Sequence, residues 1–231
     1  MIILSADTST TINTVAVCAE GEVLAESVVR CGRTHAERLL DTVTWVLEEA
    51  GLALEKVGAL AVSVGPGSFT GLRVGLATWK GLALGQNLPL VGVSTLGAMS
   101  RIPGPIDGII CPVLDARMGE VFAAAYRING DQREQVLPDC VAPIETVAEK
   151  LRHRKVTMFG DGVGVYRKRI AASMPDARFL PEILWPPRAS AVAEEAREML
   201  QAGCNADPEA AHPVYLRKSQ AEQNREKATQ P

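Results

Sequence analysis

Aromatic side chains make up only 4% of this 231-residue chain. Stacking of nucleic-acid bases on aromatic platforms is therefore excluded as a main activity, and the core has to be built from Ala, Val, Leu and Ile. Histidine is scarcer still. His35, His153 and His212 form neither HxxxH nor HExxH, since Leu39 stands four residues beyond His35. A zinc or iron site of that kind is excluded. The five cysteines include no CxxC pair, and an odd number of thiols suits a reducing compartment. Cys18 and Cys111 lie inside apolar runs and read as core thiols. The opening MIILSAD lacks the basic n-region and long apolar run of a signal peptide. No stretch is long and uncharged enough to span a bilayer. A cytoplasmic protein without membrane attachment is expected.

Charge of one sign is also lacking. The formal net charge is −3, and residues 1–101 carry 7 of the 24 basic and 9 of the 27 acidic groups. Neither half is a basic nucleic-acid domain. Two local clusters stand out, Arg152, Arg154 and Lys155, then Arg167, Lys168 and Arg169. Each reads either as a solvated helix face or as a phosphate or RNA contact.

The nucleotide and hydrolase motifs are missing as well. In SVGPGSFTGLRVG, Leu72 and Arg73 follow Gly71, where a P-loop needs Lys and then Ser or Thr. Thr70 stands where the dinucleotide fingerprint needs glycine. Ser68 is not in a G-x-S-x-G elbow, so its hydroxyl reads as a cap or turn group. The GDGVG stretch at 160–164 also misses the dinucleotide spacing and reads as a tight strand-to-helix connection.

What is present centres on residues 58–86. A buried strand is expected at 59–64, a turn at Gly65-Pro66-Gly67, and a helix from about 71 to 84 capped by Ser68 or Thr70. That helix carries Gly71, Gly75, Gly81 and Gly85, each costing about 0.5–1 kcal/mol against alanine. Leu72, Leu76, Trp79 and Ala83 form one apolar stripe, and Arg73 and Lys80 a polar edge. Small residues, with Val74 and Leu82, cover the rest and let another backbone come close. That backbone belongs either to the same domain or to a partner subunit.

Elsewhere, strands are expected at 2–6, 14–19 and 22–29, the last two joined by a turn at Glu20-Gly21. A helix spans 35–50, with Thr34 and Glu37 as a capping box, Gly51 past its end, and a stripe of Leu39, Val43, Val46, Leu47 and Ala50. A strand at 89–93 and a short helix from Thr95 complete an N-terminal α/β lobe, residues 1–101. After a Pro/Gly-rich linker at 102–108, a second α/β lobe is expected over 109–217. It holds strands at 109–114, 120–127 and 155–159 and helices at 143–153, 163–172 and 189–201. Residues 218–231 form a polar tail.

Both halves open with an apolar strand ending in aspartate, Asp7 and Asp115, followed by a hairpin. That duplicated opening resembles the two-lobed actin/heat-shock-ATPase-like (ASKHA) fold. In that class the first aspartate helps hold Mg²⁺, and glycines and hydroxyls hold phosphate. The sequence Asp7-Thr8-Ser9-Thr10-Thr11 has hydroxyls but no glycine, and Arg117 and Met118 stand where a phosphate needs room. The nucleotide site reads as degenerate.

With ADTST, HAERLL, SVGPGSFTGLRVGLATWKGLA, LDARMGEVFAAAY and PVYLR in order, nearly the whole chain resembles the TsaB family, also called YeaZ. The glycine-loop segment is the specific part. The resemblance implies a non-catalytic dimerisation subunit of the machinery that transfers threonylcarbamoyl to the adenosine beside the anticodon, in tRNAs reading codons that begin with A. It implies pairing with TsaD through the two N-lobe helices, self-association to a homodimer through the same helices, and a ternary complex with TsaE. No cofactor is held tightly, ATP is used by the partner subunits, and tRNA is met only through the complex. The expected interface is His35, Arg38, Leu39, Thr42, Gly71, Val74, Gly75, Thr78 and Leu82. Asp7, Thr8 and Ser9 form a candidate vestigial nucleotide loop, with no catalytic or metal residues. The alternatives are a nucleotide-dependent kinase of the same fold and a glycoprotease-like peptidase.

Overall fold

The computed structural model describes residues 1–30, 35–104, 106, 108–130 and 132–217, with only the backbone described at 35–37. The chain runs β1 (Ile2–Asp7), β2 (Ile12–Ala19), β3 (Glu22–Arg30), α1 (His35–Glu49), β4 (Ala59–Gly65), α2 (Phe69–Gln86), β5 (Leu90–Ser94) and α3 (Thr95–Met99). It continues as β6 (Gly108–Arg117), β7 (Glu120–Asn129), β8 (Gln132–Pro143), α4 (Ile144–Lys150), β9 (Val156–Phe159), α5 (Asp161–Ser173), β10 (Arg178–Phe179) and α6 (Ala189–Gln201). The strands form two five-stranded sheets, ordered β3-β2-β1-β4-β5 and β8-β7-β6-β9-β10. The second order repeats the first. In each, an antiparallel hairpin precedes a parallel neighbour, β4 beside β1 and β9 beside β6.

The central strands are covered on both faces, which is why β1 and β4 read as nearly continuous apolar runs. On one face Leu4, Val15, Val17, Leu60 and Val62 meet the predicted stripes of α1 (Leu39, Val43, Val46, Leu47) and α2 (Leu76, Trp79, Ala83). The Trp79 indole N–H reaches the Leu4 carbonyl at 3.3 Å, tying α2 to β1. Gly51, at φ +64°, ends α1: its N–H bonds the Glu48 carbonyl and that of Leu52 bonds Leu47, both at 2.9 Å. The capping box expected of Thr34 and Glu37 lies outside the described residues.

In the second lobe, Cys111, Val113 and Ala123 pack beneath α4 and α5. Gly160, at φ +110°, has no room for a side chain against the Val113 carbonyl, so the 160–164 turn is the tight strand-to-helix connection its sequence suggests. Burial pushes the Cys18 thiol up to about 12, helped by the charges of Glu26 and Glu194, and raises that of Cys111. Both are core thiols.

Two strands escaped sequence reasoning, the edge strands β8 and β10. The division of the chain also needs correcting, since residues 109–217 are not one packing unit. Helix α6 returns to the first lobe, where Ala189, Val192, Ala193 and Ala196 cover Ile3, Ala16, Ala61, Val91 and Val93 on the sheet face opposite α1 and α2. Its start is held by Glu26 of β3, whose carboxylate accepts from the Ser190 N–H and hydroxyl, both at 3.0 Å, and from Arg188. Conversely, Leu96 and Met99 of α3 pack into the second lobe against Ile110, Leu114, Ala124 and Phe159. The lobes thus exchange elements. Residues 218–231, the expected polar tail, lie outside the described residues.

Candidate functional site

Of the two aspartates that open the lobes, Asp7 ends β1 and Asp115 stands two residues before the end of β6. Asp7 is fully buried. One carboxylate oxygen accepts from the Ser9 N–H at 2.9 Å and the Ser9 hydroxyl at 2.7 Å, and the other from the Ser63 hydroxyl at 2.5 Å. Thr8, also fully buried, donates its hydroxyl to the Gly71 carbonyl at 2.8 Å. Ser68 brings α2 against the same loop: its N–H bonds the Ser9 carbonyl at 2.6 Å and its hydroxyl caps the Gly71 N–H at 3.3 Å. The hydroxyls and carboxylate of the first loop are thus bound to this chain's own groups, with α2 packed on top.

The second loop is closed differently. The Asp115 carboxylate accepts from the Arg117 N–H at 2.9 Å and the Tyr166 hydroxyl at 3.2 Å, and pairs with the Arg117 guanidinium at 3.1 Å. Burial pushes the neighbouring Asp161 carboxyl up, and the Asp115 charge adds to this against the pull of the Asp115 N–H. The chain's last described residues fasten the turn. Arg217 donates to the Ala116 carbonyl at 2.9 Å, to the Arg117 carbonyl and Glu120 carboxylate at 3.3 Å, and touches the Met118 sulfur. The same segment crosses the first lobe, with the Val214 N–H on the Val64 carbonyl at 2.7 Å and Tyr215 stacked on Phe69, ring centroids 4.7 Å apart. Among the described residues no group of three His, Cys, Asp or Glu side chains could hold a metal ion.

The structure divides the expected interface residues. Arg38 is exposed and Thr42 half-buried, and they line a groove of about 290 Å³ with Asp41, Ser27, Val29 and Trp45. Val74, Thr78 and Leu82 are half-buried on α2, Val74 and Leu82 against the edge of the core. Leu39 is corrected: it is 0% exposed, sealed in the core beneath α1. Gly71 and Gly75 are corrected too. A Cβ on either would run into Thr8, its backbone carbonyl at Gly71 and its side chain at Gly75, so what they admit is the β1–β2 loop of the same lobe. Gly81 and Gly85, by contrast, face open space. The His35 side chain lies outside what is described.

Sequence reasoning missed the exposed apolar groups beside this face, Leu40 at 53%, Trp45 at 46% and Leu84 at 71% exposure. The signal was available, because Leu40 and Trp45 are large apolar residues off the α1 stripe. Val29 of the edge strand β3 adds to the same exposed surface, whereas Val28 faces the other side of the sheet.

Two sheets of the same strand order, each led by a strand–Asp–hairpin unit, define the ASKHA fold, here with the turns after Asp7 and Asp115 bonded to the chain's own groups. Comparisons give the particular family. A family model described as "TsaD: tRNA N6-adenosine threonylcarbamoyltransferase" matches residues 28–225. The tRNA threonylcarbamoyladenosine biosynthesis protein TsaB of Escherichia coli is 35% identical, and that of Bacillus subtilis 30%, each alignment covering 96% of both chains. The solved structure of YeaZ from Pseudomonas aeruginosa is 32% identical with a TM-score of 0.80, covering 93% of this chain and 99% of that one. The chain belongs to the TsaB (YeaZ) family of tRNA threonylcarbamoyladenosine biosynthesis proteins.

Proposed function

We propose that this chain is the non-catalytic scaffold subunit of the assembly that transfers threonylcarbamoyl to tRNA adenosine. It pairs with TsaD, supports TsaD and TsaE, and self-associates when TsaD is absent. It holds no cofactor tightly, and the ATP of the pathway is used by the partner subunits in the cytoplasm. No helix among the described residues is long and apolar enough to cross a membrane, in keeping with that setting.

The observation that carries this reading is the filling of the first loop, where Thr8 is seated against Gly71 and Gly75 and Asp7 is ringed by Ser9 and Ser63. A Mg-nucleotide that used these groups would have to break those bonds. This counts against the kinase alternative, and the capping role of Ser68 counts against a serine peptidase. The partner surface is the outer side of α1 and α2, carried by Arg38, Asp41 and Trp45 on one helix and Thr78, Gly81 and Gly85 on the other. Small side chains there let a partner helix approach closely.

The test is in two parts. Purified chain is incubated with Mg-ATP and tRNA, and then mixed with TsaD and followed by size-exclusion chromatography with light scattering. The expected result is no turnover alone and a stable heterodimer. ATP turnover that disappears in Asp7→Ala would establish the kinase reading instead.

A further inference from the structure

At the pole of the second lobe away from Asp115, the start of β6, the end of β7 and the approach to β9 come together. They enclose an open groove of about 470 Å³ lined by Gly108, Ile109, Arg127, Asn129, Arg154 and Lys155. The Ile109 N–H bonds the Lys155 carbonyl at 3.0 Å, and Gly108, at φ +115°, has that carbonyl 3.1 Å from where a Cβ would stand. The floor is therefore backbone, kept low by glycine. His153, at φ +62°, turns the chain just before the two cations. Arg152 pairs back along α4 with Glu149, while Arg154 and Lys155 are exposed and join no ion pair among the described residues. Among the described residues Arg127 has one acidic partner, Glu134 at 2.7 Å, and both side chains are at least half in water, where such a pair is weak. Asp107 and Asp131, close in sequence, lie outside the described residues.

We propose that this groove takes the phosphate backbone of the tRNA when the chain stands in its assembly, an inference that rests on the function proposed above. Arg and Lys over a backbone floor suit phosphate oxygens. With no aromatic in the lining, the groove has nothing on which to stack a base, so the contact is independent of sequence. Three cations in a chain of net charge −3 are too few to hold tRNA alone. They add to a binding surface supplied by the partners. The groove also lies on the other lobe from the α1–α2 face and does not compete with pairing.

The experiment uses the reconstituted assembly with TsaD and TsaE, titrated with tRNA over about 50–200 mM salt, the range in which phosphate contacts are weakened most visibly. The variant is Arg154→Glu with Lys155→Glu, beside Lys168→Glu on α5 as a charge-reversal comparator away from the groove. The expected result is a severalfold loss of affinity and a salt slope shallower by about 1–2, with an unchanged melt and intact assembly. Lys168→Glu changes neither. Lys155→Gln alone, a change that cannot disturb an exposed site, lowers the slope by about 1. An unchanged slope in an intact assembly overturns the inference. So does loss of TsaE at unchanged tRNA affinity, which would make the groove a dock for an acidic protein surface. If the wild-type chain fails to bind TsaD at all, the proposed function falls, and this inference falls with it.

Discussion

The hydroxyl of Thr8 donates to the carbonyl of Gly71 across 63 residues of chain, at 2.8 Å, with both residues fully out of solvent. Through that bond the helix is seated on the β1–β2 loop, and Gly71 and Gly75 serve the seating.

Gly75→Leu therefore acts on the fold. Its side chain would enter space held by the Thr8 hydroxyl. Overpacking of this kind costs about 1–3 kcal/mol, or about 2–12 °C in melting temperature for a chain of this size. Gly81→Leu, whose Cβ meets nothing within 4 Å, should leave the melt unchanged or slightly raised. If α2 meets TsaD, Gly81→Leu alone should lower affinity at normal stability. Thermal melts beside light-scattering chromatography read both quantities, and the reverse pattern would return the interface to Gly75.

Trp45 sits beside Arg38 and Asp41 on the groove between α1 and β3. An interface tryptophan often carries about 2 kcal/mol or more, so Trp45→Ala should weaken TsaD pairing by roughly thirtyfold or more. Arg38→Glu and Asp41→Arg should weaken it further by mismatched charge, with no change in melt. Unaltered affinity in all three would place the partner elsewhere.

Glu195 of α6 bonds Arg101 of the first lobe and Arg133 of β8, each at 2.5 Å, and all three side chains are under one-fifth exposed. Arg101 keeps Glu198 as a second partner, whereas Arg133 retains only the Gly97 carbonyl and Ser100 hydroxyl among its described acceptors. Glu195→Gln should destabilise the chain by about 1.5–3 kcal/mol, the range for a hydrogen bond to a charged group. Denaturant unfolding measures it. A shallower denaturant slope as well would show the lobes unfolding separately.

Glu198 supplies a pH test. Its hydrogen bond from Arg101 holds the carboxyl below its usual 4.5. A carboxyl depressed in the folded state contributes stability in full above its unfolded value and loses it as pH falls through the folded one. Glu198→Gln should therefore lower the melting temperature at pH 7 and flatten its decline below about pH 4.5. An equal offset between the two proteins at pH 7 and pH 3 would contradict that linkage.

Much of this was legible in the sequence because it is local. The strand, turn and helix at 59–86, the Ser68 cap, the Gly51 stop and the span of α6 rest on periodicity and capping within a few residues. The misses are long-range. Nothing near Gly71 and Gly75 says that the close neighbour is Thr8, and small side chains look alike from sequence whether they meet a partner or their own lobe. Leu39 was placed on two faces at once, and burial chose the core. Strand β8 has polar residues, Pro138 and no strong alternation, as suits an edge whose shape depends on β7 beside it. Its counterpart β3 gave the missing signal, since a repeated opening predicts a repeated third strand.

The place of α6 bears on how the chain is made. The sheet face bearing Ile3, Ala16, Val91 and Val93 is complete in sequence by residue 93, yet its cover begins at Ala189. On a ribosome adding about 5–20 residues per second, that apolar face waits roughly 5–20 s for its lid. The first lobe should therefore be a client of chaperones during synthesis. A gene cut after residue 101 should yield an aggregating fragment, whereas supplying residues 186–217 as a separate peptide should rescue it.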